Sequence, residues 1–578
     1  EPENSRRGEA LRSTLLFIIT SVDTRITLER VLKVSMFLAS AGTLIRRPPP
    51  DTTPDGTSRW RALNLATAAC DVLQFGAVGD NATDDTHALQ QAIDECHATH
   101  PGGATVLLAE GKTFRVGGSI ALQSNVTLLL GRNTSIFSAV TPADAIIQHP
   151  RCPTLYWPHG PTAVLCGTNL SNIAILGVDE HSSIIDGGGW PWYAAGVANS
   201  SMQGRGPRLF EVAWSANITL SRIGFVNSPA WTVHPTFCRG VLAEHIRILN
   251  PRFTPNTDGF DPDSSADVIL RDSLIDTGDD GISIKSSNSS EPGASHIQVP
   301  ARNIHIYRVR VLSRNFWCAR RLKLGTLAVA VQRLSWAFYQ RQLGGCFGSS
   351  HAHGPRHPPL CSVGSATYGG VYDLLMEDCE IGDDSGSAPW AIKYKSHQNY
   401  PGTMSNHTYR RLRVGDIQPN AYQQPHAGYF MSIELRYHPL IPNRTCQSWD
   451  CPRFSAISFE DIRITGAARA GDINGFRGDL LEGLSFRNIT FAATPPLGWT
   501  CGYVDLRTFV SVAVSPPLEC SSGPSAGMFE PWLSELSELS EVCRECWSSV
   551  RPLPGPNRTL QPGPLPDRCG SCRAIIGW

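Results

Sequence analysis

Asn217-Ile-Thr-Leu220 opens a pattern that returns along most of the chain: an apolar-alternating run at 241–248, then Asp267-Val-Ile-Leu270, then Asn303-Ile-His-Ile306. Working outward, Asn172-Ile-Ala-Ile-Leu176 precedes these units, and runs at 371–381, 457–464 and 484–491 follow them. Several begin polar, apolar, x, apolar and repeat the alternation a few residues later. Period-two alternation marks a strand with one buried face. Separations are mostly in the twenties, too short for a domain and about right for one coil of a solenoid. With β-branched residues in the runs and no long helices between them, the reading is all-β: a right-handed parallel β-helix. A β-propeller is the competing architecture, but its Trp-Asp blade signature at ~40-residue spacing is missing.

The units set the domain boundaries: an N-terminal extension over 1–69, the β-helix over 70–520, and a Cys/Pro-rich tail over 521–578. Within the extension, apolar runs at 13–22 and 34–45 are each about the size of a signal core, and 46–60, with Pro48 to Pro50, reads as a linker. The sequence starts at Glu1 rather than Met, which suggests a processed or truncated chain, or a start upstream of a true signal. After Phe75-Gly-Ala-Val-Gly-Asp80 come Asp84 and Asp85, then Ala88, Leu89, Ala92, Ile93 and Cys96 at helical spacing. One short N-terminal helix is expected, with the two acids in its first turn, where they suit the dipole. Residues 316–361 lose the strand alternation and are rich in Arg, His, Gly and Pro. An unspliced intron read through would explain so abrupt a change.

Lys and Arg total 50 against 51 Asp and Glu in 578 residues, a net charge of −1. Nucleic-acid binding calls for a cationic face, so no nucleic-acid partner is expected. A hydrophobic fraction of 41% excludes a disordered chain. No apolar run reaches the ~18 residues of a membrane-spanning helix. Eleven Asn-x-Ser/Thr sites, at Asn81, Asn125, Asn133, Asn169, Asn199, Asn217, Asn288, Asn406, Asn443, Asn488 and Asn557, exceed the roughly three expected by chance. With 17 Cys they point to a secreted, disulfide-bonded glycoprotein.

The chemistry concentrates in Asn256-Thr-Asp258-Gly-Phe-Asp-Pro-Asp263-Ser-Ser265 and Asp276-Thr-Gly-Asp279-Asp280-Gly-Ile-Ser-Ile-Lys285. Asp258 and Asp280 are one coil apart in sequence, so they should stack about 4.8 Å apart on neighbouring rungs. Three carboxyls so close cannot all ionise; one should keep its proton toward neutral pH. A glycosidase needs that combination, an acid for the leaving oxygen and a carboxylate for the water. A calcium site or an Asn/Asp turn ladder would use the same residue types.

From about Phe75 to Cys520 the chain resembles the polygalacturonase family of glycoside hydrolases, family 28. The blocks are Phe75 to Thr86, Ile185-Asp-Gly-Gly188 with Trp190 and Trp192, Asn227-Ser-Pro-Ala-Trp231 with His234-Pro235, the two Asp blocks, and Val514-Ser-Pro-Pro-Leu-Glu-Cys520. The resemblance implies inverting hydrolysis of α-linked galacturonic acid in pectin, with no cofactor, by a monomer. Asp279 would be the general acid, while Asp258 and Asp280 orient and deprotonate water, ~6.5–9.5 Å separating acid from base. Trp190, Trp192, Tyr193 and Trp231 are candidates for stacking on sugar rings or for packing. Asp261-Pro-Asp-Ser-Ser is closer to exo-acting or uncharacterised branches than to the fungal endo type.

Two blocks depart from the family. Its Arg-Ile-Lys element, a carboxylate binder, is matched by Lys393-Tyr-Lys395, and lysine lacks arginine's bidentate fork. Its Gly-His-Gly element is replaced by Pro358-Pro359-Leu360 before Ser362-Val-Gly-Ser365, so the nearest candidate is His353 inside the irregular segment. These departures keep two other readings in play: a catalytically impaired carbohydrate-binding β-helix, and a calcium-dependent pectate lyase. In the tail, Cys543-x-x-Cys546 and Cys569-x-x-Cys572 have zinc-ribbon spacing, although disulfides suit a secreted chain better.

Overall fold

The structure, a computed structural model, describes residues 69–519 except 144–148, 153–160, 199–204, 252–253, 288–297, 313–358, 384–388, 398–399, 419–427, 436–450 and 476–480. Every repeat unit is a strand where the alternation places it. Residues 172–176 lie in Ser171–Gly177, 217–220 in Ala216–Ser221, and 484–491 coincide with Leu484–Phe491. The 241–248 unit is two strands, Arg239–Glu244 and Arg247–Leu249, because His245 between them has φ 50° and turns the chain. Pairings between coils are parallel: Ile218 with Val241, Val241 with Val268, and Val268 with Ile304. This is the right-handed parallel β-helix read from the repeats.

The polar residue that opens each unit has a conformational reason. Asn125, Asn172 and Asn217 have φ of 61°, 56° and 56°, a region that Asn tolerates better than most residues. Their amides form a ladder up the turn, Asn172 Nδ2 donating to Asn125 Oδ1 at 2.8 Å and Asn217 Nδ2 to Asn172 Oδ1 at 2.9 Å. Inside the coils, Tyr409, Phe459 and Phe486 stack in sequence with centroids 5.1 Å apart at each step.

Helix Thr86–Thr99 closes the N-terminal end, burying Leu89, Ala92, Ile93 and Cys96, the last bridged to Cys70. Asp84 and Asp85 precede the helix instead of occupying its first turn. Asp85 turns back to accept from Val78 N (2.7 Å) and Gly79 N (3.0 Å), while Asp84 accepts from Thr86 N and Gly117 N. Asp85 thus serves the preceding loop, while Asp84 ties the first helical residue to Gly117. A second helix, Trp190–Ala198, was not evident from the strand periodicity. Among the described residues Cys152–Cys166 is a further disulfide, Cys238, Cys361 and Cys379 are buried thiols, and no helix is long and apolar enough to cross a membrane.

One sheet positions the site. It runs Ile120–Ala121, Leu165–Thr168, Phe210–Ala213, Val233–Thr236, then through bridges at Phe260 and Asp263 to Ile282–Ser286, Cys361–Thr367, Trp390–Lys395, Tyr429–Glu434, Arg469–Asn474 and Leu497–Gly502. Cys361, at the edge of the irregular segment, is already in a strand; the rest of that segment up to residue 358 lies outside the described residues, as do the N-terminal extension and the Cys-rich tail.

Candidate active site

Alternation along this sheet decides which residues meet. Phe210, Val233, Phe260, Ile282, Cys361 and Ile392 align and point into the coil. Their neighbours point outward in two rows. One contains Glu211, His234, Ser283, Ser362, Lys393 and Ser432; the other contains Asp263, Lys285, Lys395 and Glu434. Polar rows along a solenoid face are suited to an elongated ligand.

The carboxylates enter at the turns that lead into these strands. Gly259 N donates to Asp280 O at 2.9 Å and Thr232 N to Asp258 O at 2.8 Å, which puts Asp258 and Asp280 on successive rungs, as the spacing requires. Only glycine fits after them: a Cβ on Gly259 would meet Gly281 O at 2.4 Å, and one on Gly281 would meet Leu360 O at 2.7 Å. Asn250 braces the turn, its Nδ2 donating to Thr257 O (3.0 Å) and Thr232 Oγ1 (2.7 Å).

Several ionisable groups surround the pair. Lys285 Nζ donates to Asp258 Oδ2 (3.1 Å) and Asp261 Oδ2 (2.6 Å), and lies 4.4 Å from the centre of the Trp231 ring. Lys395 donates to Asp280 Oδ2, which also accepts from Ser362 Oγ at 2.5 Å. Asp279 accepts from Asn256 N (2.7 Å) and Asp280 N (2.9 Å), one bond at each oxygen. Lys393 pairs with Glu434 at 2.6 Å and sits 3.8 Å over Trp390. One rung back, fully buried His234 bonds Glu211 at 2.7 Å, and Arg208 reaches the same carboxylate at 2.9 Å.

These surroundings shift neighbouring carboxyls in opposite directions. Burial, followed by the charges of Asp258 and Asp280, pushes the Asp279 carboxyl well above the ordinary range. Burial would raise Asp280 too, but Lys395, Lys285 and the Ser362 hydroxyl outweigh it and hold Asp280 below that range. Asp258 and Asp261 are both raised by burial, which the single ammonium of Lys285 only partly offsets. A proton donor and a carboxylate base thus stand side by side, as general acid–base catalysis demands.

Of the residues singled out from sequence, Asp258, Asp279, Asp280 and Lys395 come together directly, and Lys393 lies in the adjacent outward row on the same strand as Lys395. Both lysines are engaged by the protein's own carboxylates. His353 and the four tail cysteines, Cys543, Cys546, Cys569 and Cys572, lie outside the described residues. Trp192 and Tyr193 are buried, donating to Val140 O (2.9 Å) and Ser228 O (2.6 Å), so they pack rather than face a sugar. Sequence reasoning missed the site roles of Asp261, Lys285, Ser362 and Asn250. A signal for Lys285 was present: in Ile282-Ser-Ile-Lys285, the residues Ser283 and Lys285 share the outward face.

A family model for glycosyl hydrolases family 28 matches residues 154–308, which hold all three candidate aspartates, and one for rhamnogalacturonase A/epimerase, pectate lyase-like proteins matches 69–137. The resemblance to glycoside hydrolase family 28 is supported over the stretch that holds the candidate site. A probable polygalacturonase of Vitis vinifera is 25% identical over 481 residues, 81% of this chain and 83% of that protein. An endo-polygalacturonase of Pectobacterium carotovorum subsp. carotovorum is 29% identical over 233 residues, 38% of this chain and 55% of the relative. In fold it is similar to the exopolygalacturonase of Thermotoga maritima, with a TM-score of 0.55 at 19% identity over 75% of this chain and 88% of the other.

Proposed function

We propose that this chain is a family 28 enzyme that hydrolyses α-linked galacturonic acid polymers of pectin by single displacement. The observation that carries the proposal is the clustering of adjacent Asp279 and Asp280, whose carboxyls are shifted in opposite directions, with Asp258 on the next rung. Asp279 gives its proton to the glycosidic oxygen as the C1–O bond breaks. Asp280 takes a proton from the water whose oxygen bonds to C1, and Asp258 on the next rung orients that water. Each step leaves one carboxyl exchanged for the other's state, and solvent restores both.

We further read the enzyme as exo-acting, because Asp261 of the Asp261-Pro-Asp-Ser block is built into the ion cluster through Lys285. We read it as exported, in keeping with the Cys70–Cys96 and Cys152–Cys166 bridges. The test is release of reducing ends from polygalacturonate by the wild type beside Asp279→Asn. The variant should lose at least ~10²-fold in kcat, with no rise in ultraviolet absorbance in either reaction. Equal rates for the two proteins would remove Asp279 from the mechanism, and an absorbing unsaturated product would replace hydrolysis by elimination.

A further inference from the structure

The sheet face beyond the catalytic carboxylates carries its own counter-ion. On the side that follows Asp280 in the stack, the outward rows present Lys393 and Lys395, then Ser432 and Glu434, then Asp472 and Asn474, then Thr500. Lys395 is spent on Asp280. Lys393, only 7% exposed, is held by Glu434 at 2.6 Å, while Glu434 is 39% exposed and reachable from solvent. Further along, Asp472 accepts from Thr500 Oγ1 (2.5 Å) and Asn474 Nδ2 (2.8 Å), and Arg469 lies against the Tyr429 ring. Each of these two lysines already has one of the protein's own carboxylates as partner. A sugar bearing a free carboxylate over Lys393 would have to displace Glu434 or sit beside it, and like charges in contact are unfavourable.

We propose that Glu434 is a specificity-determining residue, which makes the position over Lys393 a subsite for a pectic sugar whose carboxyl group is esterified or absent. The inference rests on the hydrolase reading above but concerns which residue of the polymer lies on this stretch of the face. A methyl-esterified galacturonate or a neutral sugar places no charge against Glu434, whereas a free galacturonate does.

The test compares wild type and Glu434→Gln on two substrates, de-esterified polygalacturonate and highly methyl-esterified homogalacturonan, as a ratio of kcat/KM values. Gln has the size of Glu and its amide oxygen can still accept from Lys393, so the fold should be retained, which urea unfolding of the variant checks. Wild type should favour the esterified polymer, and Glu434→Gln should move the ratio toward the free acid by roughly tenfold, the worth of one charge-assisted hydrogen bond released to the substrate. An unchanged ratio in an active variant overturns the proposal. A parallel arm measures binding of both polymers to Asp279→Asn and to the Asp279→Asn/Glu434→Gln double variant. If wild type hydrolyses neither polymer, the hydrolase reading fails, and the binding arm still decides the subsite: a gain for the free acid in the double variant supports it, while equal binding or none overturns it.

Discussion

Replacing Lys285 by Met should cost this protein much of its stability at neutral pH and almost none in acid. Lys285 is 7% exposed, and its two partners, Asp258 and Asp261, are 7% and 0% exposed. Met keeps the length of the stem and removes the ammonium, which also lies over the Trp231 ring. Breaking a buried ion pair from one side costs about 3–5 kcal/mol, a large share of the roughly 5–15 kcal/mol that holds a typical domain. The sign with pH follows from the two carboxyls. Both are raised in the folded state, so above their unfolded values the native protein holds protons that the unfolded chain has released, and stability falls as pH rises. Without Lys285 they rise further and the fall steepens. Below the unfolded carboxyl range both states are protonated, and variant and wild type converge. Urea unfolding followed by Trp fluorescence at several pH values between about 4 and 8 measures this. Lys285→Arg, which retains the charge, should stay near wild type. A loss of the same size at every pH would mean that lost packing, not charge, is responsible and would refute the electrostatic account.

Two further outcomes test other parts of the structure. Lys395→Met removes the leading charge that depresses Asp280, so the acidic limb of the kcat/KM–pH profile, where activity fails as Asp280 takes a proton, should move to higher pH; an unmoved limb would separate Lys395 from Asp280. Phe459→Ala opens the aromatic stack between Tyr409 and Phe486 and should cost about 3–5 kcal/mol; a loss under ~1 kcal/mol in urea unfolding would mean that the coil interior collapses around the gap.

The sequence reads well wherever one coil follows another without interruption. Asp258 and Asp280 were placed on neighbouring rungs by spacing alone because no loop intervenes. Asp280 and Lys395 touch although they are 115 residues apart, and Lys393 meets Glu434 across a gap interrupted by loops. Periodicity shows that these lysines face outward but not which rung they reach, so their carboxylate partners could not be foreseen. Asp84 and Asp85 were misplaced because dipole preference is worth a few tenths of a kcal/mol to about 1 kcal/mol, less than the backbone N–H groups they satisfy. The surplus of Asn-x-Ser/Thr sites also acquires a structural cause. Asn125, Asn217, Asn406 and Asn488 have positive φ, and their amide nitrogens donate to turn carbonyls or to neighbouring ladder residues, so the coil geometry itself calls for Asn before a Thr-rich strand.

The most direct test of a single displacement run by Asp279 and Asp280 is the configuration of the first product, followed by proton NMR before mutarotation. An α-linked galacturonan should give the β-anomer at the newly formed reducing end, and Asp279→Asn should give no product on that timescale. Initial appearance of the α-anomer would require a covalent intermediate and would contradict the arrangement of acid, base and water proposed here.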